Sequence, residues 1–255
     1  MGGAIAKGLV DSSLVKASDI TCTATSDATL AKIKHINEDI NTTKNNCEAV
    51  KNADVVLFAV KPWLMNEIIG EVKEGMNYDR QIVVSVAAGL SAADLNGFLK
   101  KEGESLPVLF RLIPNTAIEV GSSVTFMSVH NGATQEQINM LMQLFNTMGQ
   151  TFIVDEKKME AGMIAASCGI AFALRYIRAA VEGSVELGLA PGVAKEIVAN
   201  TVKGAADLLL KNQSHPEVEI DKVTTPGGLT IKGLNEMEKY GFTTAVIEGL
   251  KACSK

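Results

Sequence analysis

Apolar and polar positions alternate in two different periods along the first 154 residues. Residues 2–10 place Ile5 and Leu9 on one side and Lys7 on the other, a helical spacing. Residues 19–25 (DITCTAT) form a short β-branched stretch and predict a strand. Leu30, Ile33 and Ile36 return at helical spacing. The runs ADVVLFAV (53–60) and QIVVSV (81–86) are almost continuously apolar, which predicts strands buried on both faces. Pro62 suits a first helical position, and Ser91 suits the N-cap of a helix reaching Leu99. Residues 108–113, 124–128 and 151–154 predict further strands, with a helix beginning at Thr134. Strands alternating with helices imply an α/β layer with a mostly parallel sheet over residues 1–154.

The texture changes at Asp155. Residues 156–188 read as one long helix rich in Ala and Gly, broken at Pro191-Gly192. Residues 193–211 are helical again, with Ile197, Val198, Val202, Leu208 and Leu209 apolar. A polar loop follows, then helices over 228–239 and 243–253. Residues 155–255 therefore predict an all-α domain. The small residues of its long helix suit close helix packing, either between subunits of a homo-oligomer or as the core helix of a monomer.

Composition narrows the partners. The 255 residues are 47% hydrophobic and 21% charged, with a formal net charge of −5, which gives no electrostatic footprint for nucleic acid. No uninterrupted apolar run reaches the ~20 residues of a membrane span, and no basic-then-apolar signal opens the sequence. Cys22, Cys47, Cys168 and Cys253 lie far apart, and His35, His130 and His215 make no ligand spacing, so neither disulfides nor a metal are expected. A cytoplasmic protein without a membrane or nucleic-acid partner is the expectation.

Two stretches carry chemistry. The opening MGGAIAKGL matches the end of the strand, G-x-G-x-x-G, helix unit that holds a dinucleotide pyrophosphate on a helix N-terminus. An ordinary amphipathic helix fits the same residues. At the end of the second strand, Thr25 and Ser26 would tolerate a 2′-phosphate, favouring NADP over NAD, while Asp27 reads as a first-turn acid. Near the other end, TTPGGLT (224–230) sets hydroxyls on both sides of a Pro-Gly-Gly turn that opens a helix. Its free N–H groups can hold a carboxylate, with Thr225 and Thr230 as added donors, or can simply start a helix.

The Val223–Ile231 run VTTPGGLTI, with Gly241-Phe242 beyond it, resembles the signature of the pyrroline-5-carboxylate reductase family. In the same order, Asn46, Val60-Lys61-Pro62, Ser85 to Gly89, Arg111 to Thr116, Ser167-Cys168-Gly169 and Glu186 to Leu189 also resemble it, so the likeness covers essentially the whole chain. The resemblance implies a Rossmann-type N-terminal domain (1–154) and an all-α dimerisation domain (155–255) that binds substrate, often in pentamers of dimers. It implies that Met1, Gly2, Ser26, Asn46, Val60, Lys61, Pro62, Ala87, Ala88, Gly89 and Asn115 line the NADP (or NAD) site, with Thr116 beside Asn115. By the same likeness, Thr225, Gly227, Gly228, Leu229 and Thr230 hold pyrroline-5-carboxylate or L-proline, and Thr230 orients or protonates the imine nitrogen.

Three departures stand out. Ala117 replaces the family's proline in Asn-Thr-Pro, which is expected to loosen that loop; Gln213 stands where many members carry glutamate. Members also begin with a strand and Gly-x-Gly-Asn ahead of the Met-Gly that is residue 1 here. The expectation is that about ten residues of the family pattern lie upstream of this sequence, leaving neighbouring strands with unpaired backbone groups. Two other readings compete: a hydroxyacid dehydrogenase or related reductase using Lys195 or Lys203, and a dimeric scaffold that binds proline-like carboxylates without reducing them.

Overall fold

The computed structural model describes residues 1–254 and divides into two compact units, Met1–Met163 and the remainder from Ile164. The first unit runs α1 (Gly2–Asp11), β1 (Thr21–Thr23), α2 (Asp27–Ile36), β2 (Asn41–Thr43), α3 (Asn46–Val50), β3 (Val55–Phe58), α4 (Met65–Val72) and β4 (Ile82–Ser85). It continues with α5 (Ala92–Leu99), β5 (Leu109–Ile113), β6 (Ser123–His130), α6 (Gln135–Asn146), β7 (Gly149–Ile153) and α7 (Met159–Met163).

Five strands form one sheet in the order β3-β4-β5-β6-β7. All neighbours are parallel except β5 and β6, which pair antiparallel from Leu109↔His130 to Ile113↔Phe126. Strands β1 and β2 form a separate parallel pair, and no strand from residues 1–254 joins the two sheets. Successive residues of the central strands feed opposite faces, the period-2 rule of a pleated strand. Val83 and Leu109 join Met65, Ile69, Leu95 and Leu99 of α4 and α5. Val84 and Phe110 join Ile5 of α1 and Leu141 and Phe145 of α6 on the other side. Burying each such side chain stabilises the layer by about 1.5–3 kcal/mol.

Local sequence fixes the helix starts. Ser91 with Asp94 and Thr134 with Gln137 both make reciprocal capping boxes, as their positions predict. Helix α1 docks so closely that a Cβ on Gly8 would stand 2.3 Å from Met148 Cγ.

Four features differ from the sequence reading. Among the described residues β3 pairs on one side only, with β4, and Val55 and Leu57 are partly buried where a strand buried on both faces was expected. Strand β2 was not foreseen, because Asn-Thr-Thr carries no apolar signal. The polar loop after α9 contains a helix, α10, introduced below. Finally, the long helical run is not uniformly a packing element of the second unit: its start lies in the first, where Met159 is buried and Gly162 lies so close to Phe126 that a Cβ would sit 2.7 Å from its ring.

The second unit is helical throughout its described residues: a π-helical turn (Ile164–Cys168), α8 (Gly169–Glu186), α9 (Pro191–Asn212), α10 (Pro216–Lys222), α11 (Leu229–Lys239) and α12 (Phe242–Lys251). The predicted 156–188 helix is thus a continuous helical run of changing pitch. By length and composition alone, Glu156–Glu186 is apolar enough to cross a membrane, although Glu160, Arg175 and Arg178 keep any one apolar run short. Within the unit α8 packs on α9, yet α8 has no buried residue, and Leu174, Tyr176 and Val185 remain exposed.

Candidate functional site

The first cluster of candidate residues gathers at the carboxyl ends of parallel strands, where open α/β sheets bind ligands. Met1 is the N-cap of α1 and Gly2 its first helical residue; no side chain caps this end and no acid sits in its first turn. Gly2 packs at the end of β3, where a Cβ would come within 3.1 Å of the Ala59 Cβ. An uncapped, acid-free helix start held close to a strand end fits a diphosphate, whose charge its N–H groups can meet.

The chain leaves β3 through Val60, Lys61 and Pro62. Pro62 opens a single 3-10 turn that Leu64 N–H closes on the Lys61 carbonyl at 2.9 Å. After β4, the buried Ala87 donates its N–H to Ser85 Oγ at 3.3 Å, while Ala88 and Gly89 turn outward to solvent.

Ser26 caps α2, accepting Thr29 N–H at 3.3 Å and meeting its hydroxyl at 2.9 Å. Asp27 stands next to it in an ion pair with Lys44 at 2.8 Å, so a cation reaches this corner from the β2–α3 connection. Asn46 does not cap α3. Asn45 does, accepting Glu48 N–H at 3.1 Å, and Asn46 donates instead to Glu71 Oε2 at 2.9 Å.

Asn115 is buried, and its side-chain carbonyl accepts Ala117 N–H at 3.1 Å. A proline at 117 could not donate that bond. Ala117 therefore ties the loop by a hydrogen bond where the departure was expected to loosen it.

Sequence reasoning did not find a buried polar group behind these loops. Arg111, 7% exposed, pairs with Glu156, whose carboxylate also accepts Ala92 N–H at the start of α5. The pair joins strand β5 to the segment leading into the helical unit. Ser128 Oγ and His130 Nε2 stand 3.0 Å apart at the rim of a neighbouring cavity of about 520 Å³ that Asp155 and Glu156 also line. Burial holds the His130 imidazole below its ordinary pKa; the Glu156 charge opposes that shift and Arg111 adds to it.

The second cluster lies in the helical unit. Gly228 N–H donates to the Thr225 carbonyl at 2.9 Å, and Gly227 has φ +72°, which makes Thr225-Pro226-Gly227-Gly228 a type II turn with proline and glycine where that turn requires them. Gly228 then serves as the N-cap of α11 without a side-chain cap, and the first turn of α11 holds no acid. Thr225, Leu229 and Thr230 are exposed around this helix start. The arrangement suits a carboxylate ligand. Gln213 ends α9 in the left-handed region at φ +51°.

A mostly parallel sheet with an uncapped glycine helix at its strand ends, followed by a helical unit with an anion-accepting turn, defines a Rossmann-type oxidoreductase with a separate helical domain. Family models agree in both parts: an F420-dependent NADP oxidoreductase model matches residues 1–89, and a pyrroline-5-carboxylate reductase dimerisation model matches residues 156–255. The chain is 36% identical to pyrroline-5-carboxylate reductase 1 of Dictyostelium discoideum over its whole length, although it spans only 47% of that relative. It is 34% identical to reductase 2 of the same organism, with 98% of the chain and 86% of the relative covered. In fold it is similar to a Plasmodium falciparum pyrroline carboxylate reductase crystallised with NADP bound, with TM-score 0.86, 23% identity, and 99% and 91% of the two chains covered. The chain belongs to the pyrroline-5-carboxylate reductase family.

Proposed function

We propose that this protein reduces pyrroline-5-carboxylate to L-proline with NAD(P)H. The observation that carries the reading is the type II turn at Thr225–Gly228 opening an uncapped helix, within the family's own signature. The backbone N–H groups of Gly227, Leu229 and Thr230 and the Thr225 hydroxyl hold the substrate carboxylate, while the Gly228 N–H closes the turn on the Thr225 carbonyl. Thr230 directs its hydroxyl to the imine nitrogen and so offsets the negative charge that hydride addition would leave there. The dinucleotide, when bound, would supply the hydride to the imine carbon; the nitrogen takes a proton from water, directly or relayed through the Thr230 hydroxyl, which regains its proton from that water, giving the secondary amine. No strong acid or base is required, and most of the rate comes from holding the reactants in register.

Met1, Gly2, Val60 to Pro62 and Ala87 to Gly89 are the residues that would hold the dinucleotide. NADP is preferred to NAD on this reading, because the Lys44 ammonium neutralises Asp27 beside Ser26 and leaves no uncompensated acid against a 2′-phosphate. The exposed apolar positions of α8, including Leu174 and Tyr176, are subunit contacts of a dimer in this reading, not lipid contacts, since the dimerisation model spans them. A pentamer of dimers and a cytoplasmic location complete the proposal.

The test is stoichiometric. Pyrroline-5-carboxylate should drive loss of NADPH absorbance with one proline formed per NADPH consumed. Binding of L-proline with neither tight NADPH binding nor turnover would favour the scaffold reading instead.

A further inference from the structure

The chain contains one tryptophan, and it is 74% exposed. Trp63 follows Pro62 in the 3-10 turn at the carboxyl end of β3, so its backbone is set by the proline ring and by the Leu64 to Lys61 hydrogen bond of 2.9 Å. The Lys61 ammonium stands 5.9 Å from the centre of its ring, within cation–π range. A large aromatic surface in water gains free energy when covered, and here it is held on a short, constrained turn with a cation beside it. The first turn of α1 packs on the same strand end through Gly2 and Ala59.

An aromatic plate, an adjacent cation and a helix start together match a ligand that is both planar and anionic. We propose that Trp63 is a cofactor-binding residue of the dinucleotide site and stacks on a base ring of the cofactor, with Lys61 facing its phosphates. This inference rests on the reading of the first unit as an NAD(P)H site. No other residue of the chain has tryptophan's absorption and emission, which makes the contact directly observable.

The experiment uses the full chain. NADPH affinity is measured calorimetrically for wild type, Trp63→Ala and Trp63→Phe, and tryptophan emission is followed in the wild type as NADPH, 2′,5′-ADP or nicotinamide mononucleotide is added. NADPH should quench the emission, and Trp63→Ala should weaken NADPH binding about tenfold, with Trp63→Phe closer to wild type. Quenching by 2′,5′-ADP identifies the stacked ring as adenine, and quenching by the mononucleotide identifies it as nicotinamide. Unquenched emission with equal affinity in Trp63→Ala overturns the inference while leaving the cofactor reading intact. Equal affinity with a changed sedimentation coefficient overturns it too and assigns Trp63 to a protein contact. If wild type binds neither NADPH nor NADH, both readings fall together.

Discussion

A Cβ added to Gly228 would stand 2.5 Å from Thr225 Oγ1 and 3.0 Å from the Thr225 carbonyl oxygen. The hydroxyl proposed to hold the substrate carboxylate is therefore kept in place by the absence of a side chain three residues later. Gly228→Ala must push that hydroxyl aside or open the turn. We expect KM for pyrroline-5-carboxylate to rise at least about tenfold, while NADPH affinity, set in the other unit, stays unchanged. Steady-state kinetics beside cofactor titration checks this; an unaltered KM would remove the turn from substrate binding.

Thr230→Ala addresses the chemical step. Thr230 is exposed on the first turn of α11, so its loss should cost little stability. Turnover should fall at least about tenfold, well beyond any change in thermal midpoint, because a hydrogen bond that strengthens as charge develops contributes to kcat. Unchanged kcat would take Thr230 out of the mechanism.

Arg111 and Glu156 should couple in stability. Arg111 is almost fully covered and Glu156 about one-third exposed, so removing Glu156 leaves a buried cation and removing Arg111 leaves a carboxylate with partial access to water. Arg111→Met or Glu156→Gln alone should each cost about 2 kcal/mol, below the range for fully buried pairs. The double variant should cost less than the sum, and a double-mutant cycle in denaturant measures that difference.

His130 should make stability depend on pH at the acid side. Burial disfavours its imidazolium, so its pKa in the folded protein lies below the ordinary 6.5. Below pH 6.5 the unfolded chain takes up a proton that the folded chain accepts less readily. The contribution is therefore fully present above pH 6.5 and is lost as pH falls through the folded value. His130→Asn should flatten that part of the stability curve. Chemical unfolding at a series of pH values, with the imidazole followed by NMR, would show either the shift or its absence.

The sequence made some of this legible and hid the rest for identifiable reasons. Strand β4 is buried throughout, and the almost continuous apolar run 81–86 shows it; β5 is also buried throughout, although Arg111 interrupts its apolar run. The caps at Ser26, Ser91 and Thr134 follow from residue type and position. Strand β2 is Asn-Thr-Thr and pairs only with β1, so no burial pattern marks it. Helix α10 lies among acidic residues that fill no core; its Glu219 carboxyl is pulled down to about 2 by Lys222 first, then by Ser214 and Asn212. At the site, the Pro-Gly-Gly turn could be read directly. The meetings of Lys44 with Asp27 and of Arg111 with Glu156 could not, because tertiary contact alone brings those charges together. The exposed Trp63 was visible as a letter and became informative only with its exposure.

The contact between Gly8 and Met148 works as a keyed joint. A Cβ at Gly8 would stand 2.3 Å from both Met148 Cγ and Sδ, so α1 rests on the corner between α6 and β7 only because residue 8 has no side chain. Met148 is itself buried and has little room to retreat. Lengthening the key by one methyl should therefore tilt α1 as a rigid rod, and the N–H groups of its first turn would swing with it, although residue 8 itself belongs to no binding site.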